Sequence, residues 1–339
     1  MNHRFDELAM ELDRPATWGK VLRKIGIELT CIVLACGGTI AWADWTPPES
    51  GVTPPAVLTL DAFALPNANG AIPLAPLVMG PDGALYGSTE AGGTNNVGTL
   101  FRWETNGTFT KLHDFDSTDG EYPQAALVVG ADGALYGSTG GGGTNGYGTL
   151  FRLETNGTFT KLHDFNGTNG GGPGTLVAGP GGMLYGSTGG GGTNGYGTLF
   201  RLETNGTFTK LHDFNGTNGA NPYAALVVGP DGALYGSTEY GGTNADGTLF
   251  RLATNGTFTQ LQDFNGANGA NPLVALVVGS DGAFYGVTGG GGTSGNGTLF
   301  RLETSGTFTQ LHDFNGTDGA NPSAALVVGP DGADRKSVV

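Results

Sequence analysis

Two glutamates, Glu90 and Glu239, have the residue type and spacing for general acid–base chemistry. They stand at equivalent positions, three units apart, in a chain that repeats itself every 49 or 50 residues. Two carboxylates that face each other across a cleft can cleave a glycosidic bond, one as the acid and the other as base or nucleophile. An enzyme, however, needs a few residues of unlike role at one place, and near-identical units argue against one such site. We therefore expect no catalysis, with a glycoside-cleaving enzyme as the alternative.

Other polar residues recur once per unit, which indicates a structural role. A metal-binding or catalytic histidine would not return in every unit and be replaced by glutamine in one, so we interpret the histidines as hydrogen-bonding strand residues. A recurrent arginine stands two residues before a position that is glutamate in four of the five units, on the same side of a strand. We expect ion pairs between these arginines and glutamates. The residues are His113, His163, His212 and His312 with Gln262 in the same register, and Arg102, Arg152, Arg201, Arg251 and Arg301 followed by Glu104, Glu154, Glu203, Ala253 and Glu303.

Residues 313–319, Asp-Phe-Asn-Gly-Thr-Asp-Gly, have the oxygen-rich composition of a calcium loop. Related segments begin at Asp114, Asp164, Asp213 and Asp263. Hard cations need several converging oxygens and bind best to carboxylates. The spacing differs from that of an EF-hand, asparagine replaces aspartate in most units, and turn chemistry explains the same residues. We predict no metal site and no cofactor, with calcium as the one ion left open.

Glycine-rich loops, such as residues 189–197, hold a position that varies between units. No Lys-Ser/Thr pair follows these loops, so they lack the pattern of a phosphate-binding loop. A fixed frame with variable tips is typical of a repeated binding surface, although drift of an exposed loop gives the same pattern. We predict that this surface is lined by the five residues at the variable position, Val97, Tyr147, Tyr196, Asp246 and Asn296.

Short strands joined by hairpin turns must position these residues. The same register is marked through five units by Tyr86, Tyr136, Tyr185, Tyr235 and Tyr285. Within one unit, Asp231-Gly232 and Asn255-Gly256 each separate two apolar runs, and such pairs predict tight primed turns. Four short strands in a unit of this length indicate a propeller blade. We predict an all-β fold, a β-propeller of four-stranded blades over residues 57–333, with a β-solenoid as the alternative.

The unit as a whole resembles a known repeat. It reads Gly-x-Leu-Tyr-Gly-x-Thr, then Gly-Gly, then Gly-Thr-Leu-Phe-Arg, then Phe, then Gly-x-x-Pro, and it recurs five times. This pattern resembles the GloVer tandem repeat, a family of bacterial, largely exported repeat proteins with varied surface anchors. The resemblance implies export and a repeat β architecture, and it supplies no established activity and no catalytic residues.

Composition narrows the range of partners. The chain has 15 basic and 30 acidic residues and a net charge of −15. Since no basic cluster follows the N-terminal segment, we exclude a nucleic-acid partner. Both cysteines, Cys31 and Cys36, lie near the start, so the chain without that segment has no disulfide and no cysteine metal site.

The first 43 residues have the order of a secretory signal. Basic residues up to Lys24 precede an apolar stretch and a small-x-small cleavage site that ends at Ala43. We predict cleavage after Ala43, a Pro-rich linker over residues 44–56 and no membrane span in the mature chain. A retained membrane anchor and a lipoprotein joined through Cys36 are the alternatives.

The repeat pattern stops after Ala333, where Leu-Tyr-Gly would follow. Residues 334–339, Asp-Arg-Lys-Ser-Val-Val, resemble the translation of a sequencing adapter. We expect this tail to be an artefact and the natural chain to continue into further repeats and an anchor.

These features together predict an exported, acidic repeat protein, secreted or held at the cell surface. We expect it to bind an extracellular glycan or a surface protein and to act as a scaffold without catalysis. A carbohydrate-active enzyme and a purely structural spacer are the alternatives.

Overall fold

The computed structural model of the chain describes residues 68–328 and the backbone of residues 334–335. The predicted signal segment 1–43, Cys36 and the linker 44–56 lie outside the described residues. The same holds for residues 57–67, 329–333 and 336–339.

Short strands follow one another along the described part and form five antiparallel sheets, which we call blades 1 to 5. Blade 1 has β1 (Val78–Met79), β2 (Leu85–Thr89), β3 (Thr99–Trp103) and β4 (Phe109–Asp114); blade 2 has β5 (Val128–Val129), β6 (Leu135–Thr139), β7 (Thr149–Leu153) and β8 (Phe159–Asp164). Blade 3 has β10 (Val177–Ala178), β11 (Leu184–Gly190), β12 (Thr198–Leu202) and β13 (Phe208–Asp213), and the short β9 (Gly171–Pro173) also pairs with β11. Blade 4 has β14 (Val227–Val228), β15 (Leu234–Thr238), β16 (Thr248–Leu252) and β17 (Phe258–Asp263); blade 5 has β18 (Val277–Val278), β19 (Phe284–Thr288), β20 (Thr298–Leu302) and β21 (Phe308–Asp313). These separate four-stranded sheets confirm the predicted propeller blades and not the solenoid.

A further pair of strands follows blade 5. β22 (Val327–Val328) pairs with β23 (Asp334–Arg335) in the register in which β18 pairs with β19. Arg335 therefore takes the place that tyrosine holds in each blade, and Asp334 takes the place of leucine or phenylalanine. The departure from the repeat pattern thus falls on the second strand of a sixth sheet.

The hairpin turns form where the Asp-Gly and Asn-Gly pairs predict them, but their type differs. In the first pair of blade 4, Gly232 has a positive φ of 75° and Asp231 does not. Its N–H donates to the carbonyl of Gly229 at 2.9 Å, and Oδ1 of Asp231 accepts from the N–H of Ala233 at 3.1 Å. This geometry is that of a type I turn followed by one left-handed glycine. The structure corrects the predicted primed turns, because the aspartate binds the turn through its side chain.

Each blade packs on the next through one apolar layer. Between blades 2 and 3, Tyr136 and Phe165 of blade 2 meet Leu184 and Phe200 of blade 3, and all four are fully buried. A Cβ on Gly186, the glycine after the repeated tyrosine, would lie 2.5 Å from Cζ of Phe200. The Tyr-Gly pair therefore lets the phenylalanine ring approach the neighbouring strand. Because a blade cannot cover its own faces, this stacking forms the core.

The antiparallel order of the strands gives the blades two different ends. One end carries the loops between second and third strands, residues 90–98, 140–148, 191–197, 239–247 and 289–297, together with the segments that enter each blade, residues 68–77, 115–127, 165–176, 214–226, 264–276 and 314–326. We call this end the Gly-rich face. The other end, which we call the turn face, carries the hairpin turns 80–84, 130–134, 179–183, 229–233 and 279–283 and 104–108, 154–158, 203–207, 253–257 and 303–307.

Candidate binding face

The tyrosines divide between the blade strands and the Gly-rich face. Five of the ten stand in the second strands, one in each blade. The other five, Tyr122, Tyr147, Tyr196, Tyr223 and Tyr240, are 42–64% exposed, and all lie on the Gly-rich face. Exposed Ile72, Leu74 and Leu273 lie on the same face. Among the described residues, no large apolar side chain on the turn face is exposed to this degree, so the two faces differ in chemistry.

The five predicted tip residues all lie on the Gly-rich face but differ in exposure. Tyr147 and Tyr196 are 47% and 45% exposed. Asp246 and Asn296 are half-buried, and Val97 packs against the apolar layer between blades 1 and 2. The structure thus presents the two tyrosines openly and places Val97 beside the core.

Backbone hydrogen bonds fix each tip irrespective of its side chain. The carbonyl of Tyr147 accepts from the N–H of Gly172 at 3.0 Å, and that of Tyr196 accepts from Asn221 at 2.9 Å. Both donors have a positive φ, 62° and 57°, which asparagine and glycine tolerate. The same bond joins Val97 to Tyr122, Asp246 to Asn271 and Asn296 to Asn321. A tip side chain can therefore change without a change in the loop backbone.

Glycines make room for the exposed rings. A Cβ on Gly171 would lie 2.8 Å from Cδ1 of Tyr147, and one on Gly167 would lie 3.1 Å from its Cζ. A Cβ on Gly216 would lie 3.3 Å from Cε2 of Tyr196. Each ring thus rests against glycine backbone and stays partly open to solvent. A ring held in this way loses less conformational entropy when a ligand packs on it.

The Gly-rich face also has a second variable position, which was not predicted from the sequence. It follows the recurrent proline of each entering segment and holds Leu74, Gln124, Gly174, Tyr223, Leu273 and Ser323. Tyr223 is 64% exposed, and its Cδ2 lies 3.6 Å from the place of a Cβ on Gly189. Its variation beside a constant proline was the signal that could have identified it, as the glycine frame identified the loop tips.

The two glutamates considered for catalysis also begin loops of this face. Oε1 of Glu90 accepts a hydrogen bond from Nε2 of Gln124 at 2.7 Å. Oε2 of Glu239 accepts from Nδ2 of Asn221 at 2.6 Å. Gln124 lies in the segment that enters the next blade, whereas Asn221 lies in the segment that enters the blade of Glu239 itself. These contacts hold both carboxylates on the Gly-rich face.

The recurrent histidines join neighbouring blades. The ring of His163 stacks on Phe208 of the next blade, with centroids 3.8 Å apart and an interplanar angle of 6°, and His212 stacks in the same way on Phe258. Nδ2 of Asn169 lies 3.0 Å from Nε2 of His163. Burial lowers the pKa of both His163 and His212. The predicted hydrogen-bonding role is present, and the stacking between blades adds to it.

The recurrent arginines belong to the turn face. Nε of Arg152 donates to Asp132 at 3.2 Å and to the hydroxyl of Tyr136 at 3.1 Å, and Nη1 donates to Glu154 at 2.5 Å. Burial and the hydrogen bond to Asp132 raise the pKa of Tyr136 to about 12. Burial alone would raise the pKa of Asp132, but hydrogen bonds from Arg152 and Tyr136 outweigh it and lower that pKa. The predicted Arg–Glu pair is thus one part of a larger group that also includes Asp132.

The oxygen-rich segments considered for calcium bind the protein itself. Oδ1 of Asp318 accepts from the N–H of Asn315 at 2.9 Å, and its Oδ2 lies 2.9 Å from Nε2 of His312. Oδ2 of Asp313 accepts from Oγ1 of Thr293 at 2.8 Å. Over residues 68–328, no group of three or more His, Cys, Asp or Glu side chains could hold a metal ion. The side-chain oxygens therefore act in turns and loop contacts.

Comparison with known families decides what kind of repeat this is. The family model of the Gloeobacter/Verrucomicrobia repeat matches residues 50–227 and 171–333. The chain belongs to this family. The resemblance seen in the repeat motif is thereby confirmed, and the match begins a few residues before the predicted start of the repeats. No protein with a curated description matches the chain in sequence.

Solved structures share the fold of this GloVer repeat protein. It is similar to virginiamycin B lyase from Staphylococcus aureus, with 17% identity, a TM-score of 0.50 and coverage of 75% of this chain and 73% of the lyase. It is also similar to the periplasmic gluconolactonase of Pseudomonas aeruginosa, with 18% identity, a TM-score of 0.50 and coverage of 77% of each chain. At such low identity these likenesses establish the propeller fold alone.

In the part of the chain that the structure describes, no helix is both long and apolar enough to cross a bilayer.

Proposed function

We propose that this GloVer repeat protein is an exported binding module whose Gly-rich face holds a neutral extracellular polysaccharide. The observation that carries the proposal is the placement of all five exposed tyrosines on that one face. Tyrosine combines a large apolar ring with a hydroxyl that forms hydrogen bonds. A sugar ring has the matching surface, with C–H groups on its faces and hydroxyls around its edge.

Polar groups beside the tyrosines support a sugar ligand. Glu239 and Asn221 form one hydrogen-bonded pair next to Tyr240 and Tyr223, and Glu90 and Gln124 form another. Amide and carboxylate groups of this kind orient ligand hydroxyls in sites that are otherwise apolar. The acidic character of these groups and the net charge of −15 favour a neutral polysaccharide over an anionic one, because like charges repel.

The tyrosines also stand on several blades, which suits an extended ligand. Tyr147 lies on blade 2, Tyr196 on blade 3 and Tyr240 on blade 4, each at its Gly-rich loop. A polymer that contacts more than one blade gains affinity through effective concentration, so each contact can be weak. A repeated frame with rigid aromatic side chains fits that mode of binding better than it fits a single deep pocket.

Affinity electrophoresis with hydroxyethyl cellulose, laminarin and glycol chitin in the gel tests the proposal. We expect at least one of these polysaccharides to retard the wild-type protein, and the triple variant Y147A/Y196A/Y223A to lose the retardation. The double variant M79A/L311A is the matched control, because Met79 and Leu311 are exposed apolar residues on strands away from the Gly-rich face. Equal retardation of the triple variant would overturn the assignment of the face, and no retardation by any polysaccharide would favour a purely structural spacer.

Catalysis is not part of the proposal. Glu90 and Glu239 each accept a hydrogen bond from a side-chain amide of an entering segment, which supports a role in orienting a ligand. If the glycoside-cleaving alternative were correct, the wild-type protein would release reducing ends from a polysaccharide that it binds, and the double variant E90Q/E239Q would bind without release. We expect no release from either protein.

Export rests on the order of residues in the first 43 positions and on the family. We propose that the mature protein begins after Ala43 and is secreted or held at the cell surface, with lipid attachment at Cys36 as the alternative. Intact-mass analysis of the exported protein distinguishes the two, since a lipidated chain would begin at Cys36 and carry the mass of its acyl groups.

A further inference from the structure

The turn face repeats one arrangement of charged groups in four blades. An arginine of the third strand donates through Nε to an aspartate of the first turn, at 3.1 Å from Arg102 to Asp82 and at 2.9 Å from Arg251 to Asp231. Nη2 of the same arginines lies 2.9 Å and 2.8 Å from the same carboxylates. The pairs Arg152–Asp132 and Arg301–Asp281 repeat this geometry. Each aspartate therefore accepts a hydrogen bond from Nε and lies in ion-pair contact with Nη2, on one edge of the guanidinium.

Blade 3 keeps the arginine and lacks the aspartate. Its first turn reads Gly-Pro-Gly-Gly-Met, so Gly181 stands where the other turns have aspartate. Nε of Arg201 is the one buried side-chain nitrogen or oxygen in the described residues without a hydrogen-bonding partner. The ion pair of Arg201 is made by another nitrogen, since Nη2 lies 3.6 Å from Oε1 of Glu203. An unpaired buried donor on a cation is unfavourable unless something accepts its hydrogen bond.

Blade 4 keeps the turn aspartate and lacks the glutamate that follows the arginine in the other blades. Ala253 replaces the glutamate there, yet Arg251 still has Asp231 on its Nε edge. Only the loss of the turn aspartate leaves the arginine Nε without a hydrogen-bonding partner, and among the five described blades it occurs in blade 3 alone.

The first turn of blade 3 carries no side chain at the position that aspartate holds in the other blades. A Cβ on Gly181 would meet no atom within 4 Å, and the Arg201 side chain is 29% exposed. The backbone of the turn also differs, because Gly181 has a φ of 71°. Nε itself is covered in this structure, so a carboxylate first approaches the solvent-exposed part of the Arg201 side chain, past glycine rather than past a charged side chain.

We infer that Arg201 binds the carboxylate group of a small molecule at the place that aspartate occupies in the other four blades. A guanidinium edge matches a carboxylate in shape, since its two parallel N–H groups bind the two oxygens or share one. A single cation in a chain of net charge −15 suits a monoanion better than a phosphate dianion. This site lies on the turn face and does not depend on the proposed polysaccharide surface.

Nuclear magnetic resonance of the arginine Nε–Hε groups tests the inference directly. Sodium acetate is added to the ¹⁵N-labelled protein at constant ionic strength, with sodium chloride as the reference salt. The Arg201 resonance is identified by its loss in the variant R201K. We expect acetate to shift that resonance along a saturable curve while the other four turn-face arginines stay in place. A linear drift, or a shift equal to that given by chloride, would overturn the inference.

Variants of Gly181 provide the matched comparison. The variant G181D supplies an internal carboxylate, so we expect its Arg201 resonance to lie near the saturated wild-type position and to lose the response to acetate. The variant G181N has a side chain of the same size and the same backbone cost without the charge, so the acetate response is retained. Loss of the response in both variants would show that the side chain merely blocks access, which contradicts the assigned geometry. Sodium glucuronate in place of acetate shows whether a sugar acid also fits, and a tighter saturation curve with glucuronate would assign the site to that source.

Discussion

The stacking of His163 on Phe208 across two blades predicts a measurable coupling between these residues. The rings are 3.8 Å apart and nearly parallel. Phe208 also packs on Phe165 and Phe200 at 5.6 Å and 5.3 Å. Because Phe208 is only partly buried, the variant F208A should cost about 3 kcal/mol, at the low end for phenylalanine. The part due to the histidine should appear as a coupling energy of about 0.5–1.5 kcal/mol in a double-mutant cycle with H163Q.

The interface between blades 4 and 5 provides the control for this cycle. Gln262 stands at the histidine position and donates through Nε2 to the carbonyl of Asp263 at 2.8 Å. Phe308 packs on Phe264 and Phe300 at 5.8 Å and 5.4 Å, almost as Phe208 packs on its own neighbours. A cycle of Q262A and F308A should therefore give a coupling near zero.

Urea unfolding at pH 8, followed by far-ultraviolet circular dichroism and by fluorescence, measures the four free energies of each cycle. Coincident transitions and unchanged m values are required, because repeat proteins can unfold in parts. A coupling below about 0.3 kcal/mol for His163 and Phe208, or an equal coupling for Gln262 and Phe308, would refute the view that the histidines join the blades.

Three further predictions concern the same framework. Burial lowers the folded-state pKa of His163 and His212, so the unfolded chain binds more protons than the folded one as the pH falls. The stability from these two residues should therefore be full above a pH of about 6.5 and be lost as the pH drops through the folded pKa values. Thermal unfolding of the variant H163Q/H212Q should accordingly depend less on pH than that of the wild type. The variant T238V removes a buried hydroxyl that donates to a backbone carbonyl at 2.9 Å and should lose about 1–3 kcal/mol in urea unfolding, whereas T160V, on an exposed part of a strand, should change stability by less than about 0.5 kcal/mol. Gly219 has a φ of 123° and a Cβ there would lie 2.5 Å from Cγ2 of Thr238, so G219A should lower the melting temperature by at least about 5 °C, and an unchanged value would contradict the described packing.

The fold could be predicted from the sequence because the sequence repeats. A tyrosine that returns every 49 or 50 residues and two Gly-containing turns per unit were enough to predict four strands in each blade. The turn type was less accessible, because the same Asp-Gly pair fits both a primed turn and a type I turn with a left-handed glycine. Only the backbone angles at residues such as Asp231 and Gly232 distinguish the two.

The candidate face was predicted in part. Tyr147 and Tyr196 were identified because they vary inside a constant glycine frame, and both are exposed. Val97 occupies the same position but packs against the core, since aliphatic side chains gain more from burial than from contact with water. Tyr223 was missed because its neighbours in sequence resemble an ordinary proline turn. Its place beside the glycine loops follows from strand pairing, which a single sequence does not display.

The comparison of blades separates what holds the fold from what can serve a ligand. A contact present in every blade, such as the buried threonine pair that includes Thr238, stabilises each sheet in the same way. A side chain that differs between blades cannot be needed for blade geometry, because the same geometry forms without it. Tyr147 and Tyr196 meet this condition on the Gly-rich face. Substitutions at these two positions should therefore alter binding with little effect on stability, so the proposed polysaccharide surface can be tested without unfolding the propeller.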